Sequence, residues 1–257
     1  MARFVTVLTL VCCAWAVKAL SRNGTVIAEP HSIPYQADLI IEVIDDDTRY
    51  RTGSLISPNY VLTAANCVVG SSNITVVMGV YNAEDKEEPT RRTYVGDTYV
   101  VHPSYNQSTG YHDIAVIHLK DSAEVNEFVQ PVILPRHRYK DLIGQQAQVS
   151  GWGNVSAGCD LELSKMRYAN ITIGSPSDCL PQFPHPDSAQ MCPVPSDALF
   201  HVTDFGAPLV LNDVQIGIAA ATSFTNGIES NPQIYTRVDH YLSWINNNTD
   251  VKIKETC

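Results

Sequence analysis

The sequence predicts an all-β protein that ends in a single helix. Seven segments are rich in β-branched and aromatic residues, and clusters of Gly, Pro and Asn separate them, as in proteins built from many short strands. These segments are Tyr35–Val43, Arg51–Ser57, Ile74–Met78, Ile114–Leu119, Gln146–Gly151, Gln215–Ala221 and Gln233–Val238. Near the end of the chain, Val238, Leu242 and Ile245 fall at helical spacing and form one apolar face.

Composition and charge argue against two classes of binding partner. The 257 residues are 44% hydrophobic and 17% charged, which is typical of a folded globular protein. The formal net charge is -10. Because nucleic acids and anionic membrane surfaces require clustered Lys and Arg, we expect neither as a partner.

The first 19 residues have the organisation of a secretory signal peptide. Arg3 provides the positive start, residues 4–17 the apolar run, and residues 14–16 or 17–19 a small-residue cleavage site. A membrane anchor is the alternative, but the run is shorter than the ~17–25 residues that a spanning helix needs. We therefore expect a secreted, extracellular protein without membrane insertion, whose mature chain is residues 20–257.

Two further patterns fit secretion. Six Asn-x-Ser/Thr triplets are candidate glycosylation sites, at Asn23, Asn73, Asn106, Asn154, Asn170 and Asn247. Of the seven cysteines, Cys12 and Cys13 lie in the leader, which leaves an odd number in the mature chain. An odd number requires at least one free thiol or an intermolecular bridge, so a disulfide-linked dimer is one expectation.

Five short motifs follow one another along the chain. They are Ser54-Leu55-Ile56-Ser57, Val61-Leu62-Thr63-Ala64-Ala65-Asn66-Cys67, Asp113-Ile114-Ala115, Gly151-Trp152-Gly153 and Thr203-Asp204-Phe205-Gly206-Ala207-Pro208-Leu209. In this order they resemble the trypsin-like (chymotrypsin-fold) serine proteases, and the resemblance covers nearly the whole chain after the leader. It implies two packed six-stranded antiparallel β-barrels, at about 30–130 and 131–237, followed by the helix at about 238–247.

The resemblance also locates the three catalytic positions of the family. The serine position holds Phe205, the histidine position holds Asn66, and the aspartate position holds Asp113. In active members of this family, acyl transfer needs a hydroxyl nucleophile, an imidazole that takes its proton, and a carboxylate that orients the imidazole. A carboxamide does not titrate near neutral pH and a phenyl ring has no nucleophile, so no catalytic residue is expected.

Positions around this centre differ from active members as well. The two residues of the oxyanion-hole turn are Thr203, in place of a glycine, and Phe205. The positions that line the substrate pocket hold Leu199, Thr222 and Gln233, and the larger side chains are expected to fill the pocket. Active members insert an Ile-Val terminus after cleavage at a basic residue, whereas Arg22 is followed by Asn-Gly-Thr.

The resemblance pairs Cys179 with Cys192 in a disulfide bond. Cys67 has lost its family partner, because an arginine occupies the matching place. We expect Cys67 to be a thiol unless Cys159 or Cys257 reaches it.

No metal or cofactor is expected. The candidate imidazoles, which lack compact ligand spacing, are His102, His112, His118 and His201. Some relatives bind calcium in the loop that corresponds to about 79–90, and acidic residues are present there at Glu84, Asp85, Glu87 and Glu88. The leading carboxylate position of that loop holds Val80, so we interpret it as a solvated acidic loop.

These features predict a secreted glycoprotein with a trypsin-like domain that lacks the catalytic Ser and His. It would act by binding a protein partner, as a cofactor, decoy or inhibitor in a protease cascade or at a host–parasite surface. Its loop pattern looks most like arthropod digestive, salivary or haemolymph relatives. The alternatives are a weak or specialised hydrolase with a rebuilt site and an inert secreted protein.

Overall fold

A computed structural model describes residues 25–44, 48–153, 164–179, 188–194, 204–225 and 228–253, with residues 221–225 and 228–233 described by their backbone. Its strands are β1 Val26–Ile27, β2 Gln36–Val43, β3 Arg49–Ser57, β4 Tyr60–Thr63, β5 Ser71–Met78, β6 Arg92–Val101, β7 Ala115–Leu119, β8 Gln146–Gly151, β9 Arg167–Thr172, β10 Gln190–Met191, β11 Pro208–Leu211, β12 Val214–Thr225 and β13 Ile228–Arg237. Its α-helices are α1 Ala65–Val68 and α2 Leu242–Asn248, and Pro176–Cys179 and Val238–His240 form 3₁₀ turns.

Strands β2 to β7 close into a six-stranded antiparallel barrel in the order β2-β3-β4-β7-β6-β5. Alternate side chains point inward, as the period of a strand requires, so Leu39 and Ile41 of β2 are fully buried inside. Leu55, Leu62 and Ile117 from β3, β4 and β7 fill the same core. This barrel is the first half of the molecule.

The second half is a seven-stranded sheet in the order β1-β9-β8-β11-β12-β13-β10. Its core contains Val149, Leu209, Ile216 and Tyr235, which come from four different strands. The predicted fold class is confirmed: the chain is all-β, with a six-stranded barrel, a second sheet and a short C-terminal helix.

Helix α2 joins the two halves. Val238, Leu242 and Ile245, the predicted apolar face, are all buried, and they belong to the hydrophobic cluster of the first barrel. The chain thus leaves the second sheet at β13 and returns to pack against the first half. In the part of the chain that the structure describes, no helix is long and apolar enough to cross a membrane.

Buried hydrogen bonds cross the seam between the halves. The hydroxyl of Ser54 donates to Gln215 Oε1 at 2.7 Å. Gln36 Nε2 donates to the Ser150 carbonyl at 3.0 Å, and the Ser150 hydroxyl donates back to Gln36 Oε1 at 2.8 Å. Because a buried polar group is costly without a partner, these hydrogen bonds fix how the two halves meet.

Candidate functional site

The pairing of β4 with β7 brings Asn66 and Asp113 together. Thr63 lies opposite Ala115 in this ladder, so helix α1, which follows β4, begins beside the residues that precede β7. The Asn66 backbone N–H donates to Asp113 Oδ1 at 2.8 Å, and Asn66 Nδ2 donates to Asp113 Oδ2 at 2.5 Å. Both oxygens of the carboxyl group therefore accept hydrogen bonds from one residue.

The second half completes this arrangement. Asn66 Nδ2 also donates to the carbonyl of Ala220 in β12, while Asn66 Oδ1 accepts from Cys67 Sγ at 3.3 Å. The Thr236 hydroxyl donates to the backbone carbonyl of Asp113 at 3.0 Å. The amide of Asn66 thus bridges Asp113 to the facing sheet.

Burial dominates the electrostatics of Asp113. Its side chain is fully buried, and burial raises the pKa of Asp113 to about 7 because a charged carboxylate is poorly solvated there. The hydrogen bonds from Asn66 oppose the increase, and so does that from the Ala65 backbone. An amide carries no charge, so it can orient this carboxyl group but cannot compensate its charge as an imidazolium would.

Phe205 lies in the turn that leads into β11. Its carbonyl accepts a hydrogen bond from Thr52 N at 2.9 Å, and its half-buried ring packs against the core of the first barrel. The Arg51 guanidinium lies over the ring, 5.7 Å from its centroid, in a cation–π contact. The side chain at this position therefore has a packing role in the seam.

The next residue, Gly206, is required by the same turn. Its φ is +87°, and an added Cβ would collide with the Thr52 carbonyl and the Thr63 hydroxyl. The preceding residue, Asp204, is buried, and its Oδ1 accepts a hydrogen bond from Gly153 N at 3.2 Å. The motif residues at 151–153 and 204–209 thus meet in space, as their order in the family implies.

Two of the predicted site residues lie outside the described part of the chain. These are Thr203 of the oxyanion turn and Leu199 of the pocket. Thr222 and Gln233 are opposite each other in the β12–β13 ladder, but their side chains are not among those described. The expectation that large residues fill the pocket therefore stays a prediction.

The structure confirms the predicted pairing of Cys179 with Cys192, which form a disulfide bond with a Cα–Cα distance of 5.4 Å. Cys67 is a buried free cysteine. Burial raises the pKa of its thiol to about 12, so it is protonated and unreactive at neutral pH. Cys159 and Cys257 lie outside the described residues.

Four of the six predicted glycosylation sites are described, and all four asparagines are exposed: Asn73, Asn106, Asn170 and Asn247. Exposure is necessary for modification, and their glycosylation stays a prediction. Asn23 and Asn154 lie outside the described residues.

The acidic loop uses its carboxylates to hold its own backbone. Glu88 accepts hydrogen bonds from Tyr81 N at 3.0 Å and Asn82 N at 3.2 Å. Lys86 Nζ donates to the Ala83 carbonyl at 2.9 Å. Within the described residues, no group of three or more His, Cys, Asp or Glu side chains could hold a metal ion.

Asp38 is a notable residue that was not predicted from the sequence. This buried carboxyl group lines a cavity of about 290 Å³ at the seam, together with Arg51 and Asp204. No local motif marks Asp38, although a carboxylate between Ala37 and Leu39 in an apolar strand is an unusual feature that could have drawn attention.

Comparison with known proteins gives a consistent result. The family described as Trypsin matches residues 22–245. Chymotrypsin of Phaedon cochleariae is 33% identical over 232 residues, which are 89% of this chain and 82% of that protein. Brachyurin of Leptuca pugilator is 31% identical, with 89% of this chain and 98% of that protein covered. Among solved structures, that of GrC superposes with a TM-score of 0.77 at 27% identity, covering 89% of this chain and 99% of that chain.

Proposed function

The chain belongs to the trypsin family, and we propose that it is a member without peptidase activity, which is secreted and acts by binding another protein. The observation that carries this proposal is the bonding of Asn66. Its amide nitrogen donates to Asp113 and to Ala220, and its oxygen accepts from Cys67. The Asn66 amide therefore has a structural role as a bridge. It cannot act as the general base, because an amide does not accept and return a proton near neutral pH.

Phe205 supports the same conclusion. Acyl transfer requires a nucleophile next to its base, and Phe205 offers a ring that packs between Arg51 and the first-barrel core. In a comparable triad, loss of the nucleophile or the base alone lowers turnover by roughly 10⁶-fold, and the losses do not add. With both positions changed, we expect no measurable peptidase activity.

The test of inactivity is direct. The purified protein should neither hydrolyse peptide and ester substrates nor become labelled by a fluorophosphonate. An active chymotrypsin added to the same sample provides the control for reagent and buffer. If the protein shows turnover that a single substitution in the cleft abolishes, it is a hydrolase with a rebuilt site and the proposal is wrong.

The acidic loop at 83–89 is the surface that we propose for the partner protein. The Glu88 carboxylate accepts a hydrogen bond from Tyr81 N, just before the loop, and Asp85 Oδ1 accepts one from Glu87 N at 3.0 Å. The exposed side chains therefore project from an ordered backbone. A preorganised loop loses little conformational entropy on binding. Active relatives hold a peptide in the cleft, whereas this loop lies at the seam, where Ala83 N donates to the Ser164 carbonyl and residues 84–87 are exposed.

Cross-linked capture from the secreting tissue, with the glycosylated protein as bait, should identify the partner. A Glu84→Lys/Glu87→Lys variant should lose the captured protein, whereas Asp97→Lys, at another exposed carboxylate, should retain it. Displacement of the partner by small inhibitors of the trypsin type would instead place recognition in the old cleft. Absence of any specific partner would favour an inert secreted protein.

Secretion and glycosylation are part of the same proposal and can be measured separately. Protein recovered from the medium should begin after the leader, and enzymatic deglycosylation should reduce its mass. The exposed Asn73, Asn106, Asn170 and Asn247 are the sites expected to carry the sugar. A medium without the protein, or an unchanged mass, would contradict this part.

A further inference from the structure

The cavity at the seam is separate from the Asn66 site, since neither Asn66 nor Asp113 lines it. Its volume is about 290 Å³, which is close to the lower limit for small-molecule pockets. Asp38 and Tyr50 line it from β2 and β3, Ala83 and Lys86 from the acidic loop, and Trp152 and Asp204 from the second half. The walls thus combine an indole ring with several charged groups.

Asp38 is the unusual member of this lining. Its neighbours Ala37 and Leu39 point into the barrel, so Asp38 faces outward, towards the residues of the second half that cover it. It is 9% exposed, and its carboxylate borders the cavity. Burial makes the charged form of this carboxylate costly, and a bound cation would lower that cost.

One buried donor at this cavity lacks a partner among the described residues. Arg51 Nε is buried, and no acceptor in the described ranges reaches it. The rest of the Arg51 guanidinium is already engaged, by the Tyr50 carbonyl at 2.7 Å and by the ring of Phe205. The cavity therefore offers a carboxylate acceptor in Asp38 and a buried donor in Arg51.

We propose that this cavity binds a small organic ammonium ion, with Asp38 as its counter-charge and the Trp152 indole as its apolar wall. An ammonium group supplies donors for the buried carboxylate, and an attached hydrocarbon or aromatic body covers the indole. Because the ring nitrogen of Trp152 already donates to the Tyr81 carbonyl at 3.2 Å, the indole is held in place before the ligand arrives.

The charged groups around Asp38 set the strength of this site. They are Lys86, Arg91, Glu84, Arg51 and Asp204. Lys86 bonds to the Ala83 carbonyl and Arg91 to the Asp85 carbonyl at 3.1 Å, so both act on Asp38 through space only. They favour the ionised carboxylate but also repel an incoming cation. Removal of the Lys86 charge should therefore strengthen binding.

Binding should depend on pH with a defined sign. Burial raises the pKa of Asp38 to about 6, and the charges of Arg91 and Lys86 oppose the increase. Only the ionised carboxylate is a counter-charge for an ammonium ion. Affinity should therefore be full at pH 8 and fall as the pH drops through about 6.

The experiment uses 2-phenylethylammonium as the probe and 2-phenylethanol as its neutral counterpart. The mature chain contains the tryptophans Trp152 and Trp244, so Trp152 fluorescence can be read in a Trp244→Phe background. At pH 8 we expect saturable quenching by the amine, at least ~10-fold weaker binding at pH 5, and weaker binding still of the alcohol.

Substitutions test whether Asp38 is the counter-charge of the bound amine. Asp38→Asn should weaken amine binding at least ~10-fold, and Lys86→Gln should tighten it several-fold, while Asp97→Asn, at an exposed carboxylate elsewhere, should change neither. Lys86 is exposed, so its variant remains informative even if Asp38→Asn does not fold. The proposal would be wrong if amine binding does not saturate up to ~10 mM or if the alcohol binds equally well. It would also be wrong if neither Asp38→Asn nor Lys86→Gln changes the affinity, and the cavity would then be water-filled.

Discussion

Asn66 and Phe205 belong to different halves of the molecule and are held there by different forces. Asn66 is fixed by directed hydrogen bonds to Asp113 and Ala220, in a geometry that depends on one amide group. Phe205 is fixed by its backbone bond to Thr52 and by contact of its ring with Arg51 and the barrel core. The first position retains a polar network, whereas the second has become part of the packing.

This difference has a thermodynamic consequence. The polar network contains Asp113, whose protonation burial makes sensitive to pH, while Phe205 is held mainly by packing of its ring. The two positions should therefore respond differently to pH and to substitution. Measurements of unfolding can separate them.

The largest effect should come from the titration of Asp113. Because its folded pKa, about 7, is above its ordinary value of 3.8, the folded state retains a proton that the unfolded state has released. Stability from this group is complete below about pH 4 and is lost as the pH rises through about 7. A shift of this size corresponds to on the order of 4 kcal/mol.

Urea unfolding of the wild type and of Asp113→Asn, measured from pH 4 to pH 9, gives the contribution of Asp113 as a difference. The Asp38→Asn variant should change the profile in the same direction near pH 6, because burial raises the pKa of Asp38 as well. Identical pH profiles for the wild type and Asp113→Asn would mean that Asp113 is ionised at all these values.

Asn66→Ala should have the next largest effect. It removes the amide donor to Asp113 and to the Ala220 carbonyl, which should cost about 2–3 kcal/mol in unfolding free energy at pH 8. It should also move the pH midpoint of the Asp113 transition upward, because the Asn66 hydrogen bonds lower that pKa. A loss of stability without a change of the midpoint would show that the amide only packs.

Phe205→Ala should cost about 2 kcal/mol, since a half-buried ring loses less than the 3–5 kcal/mol of a fully buried one. Phe205→Leu retains most of the contact with the core and should cost about half as much. Both losses should be equal at pH 5 and pH 8. If the loss of stability varies with pH, Phe205 is coupled to the Asp113 network, and the two positions do not differ as described.

The smallest effect concerns activity. The double substitution Asn66→His/Phe205→Ser should not produce an ordinary trypsin-like enzyme, because we expect Thr203, Leu199 and Gln233 to alter the oxyanion turn and the pocket. The measurement is hydrolysis of tryptic and chymotryptic peptide substrates beside an active chymotrypsin. Cleavage at a normal family rate would show that these three positions do not matter.

Local sequence predicted much of the fold but not all of its strands. Strand β6 was not predicted, and its central Gly96 explains why: a side chain there would collide with Ile74 and Ile117, so the position requires a weak strand former. Strands β9 and β11 were missed as well, although β9 is as long as the predicted β8 and β11 forms a tight hairpin with β12.

Within the site, the sequence by itself determined which chemical groups stand at Asn66, Asp113 and Phe205, because motif order identifies positions without any coordinates. It also determined the pairing of Cys179 with Cys192 through the family resemblance. These features depend only on residue identity and spacing, which folding does not change.

Tertiary structure alone decided how those groups are used. The bridge from Asn66 joins residues 47 and 154 positions apart, and the cavity beside Asp38 is formed by segments from both halves. Burial, which raises the pKa of Asp113 and of Asp38, is a property of the surrounding packing and not of either residue. Contacts of this kind depend on how distant segments meet in space, and no local pattern in the chain encodes them.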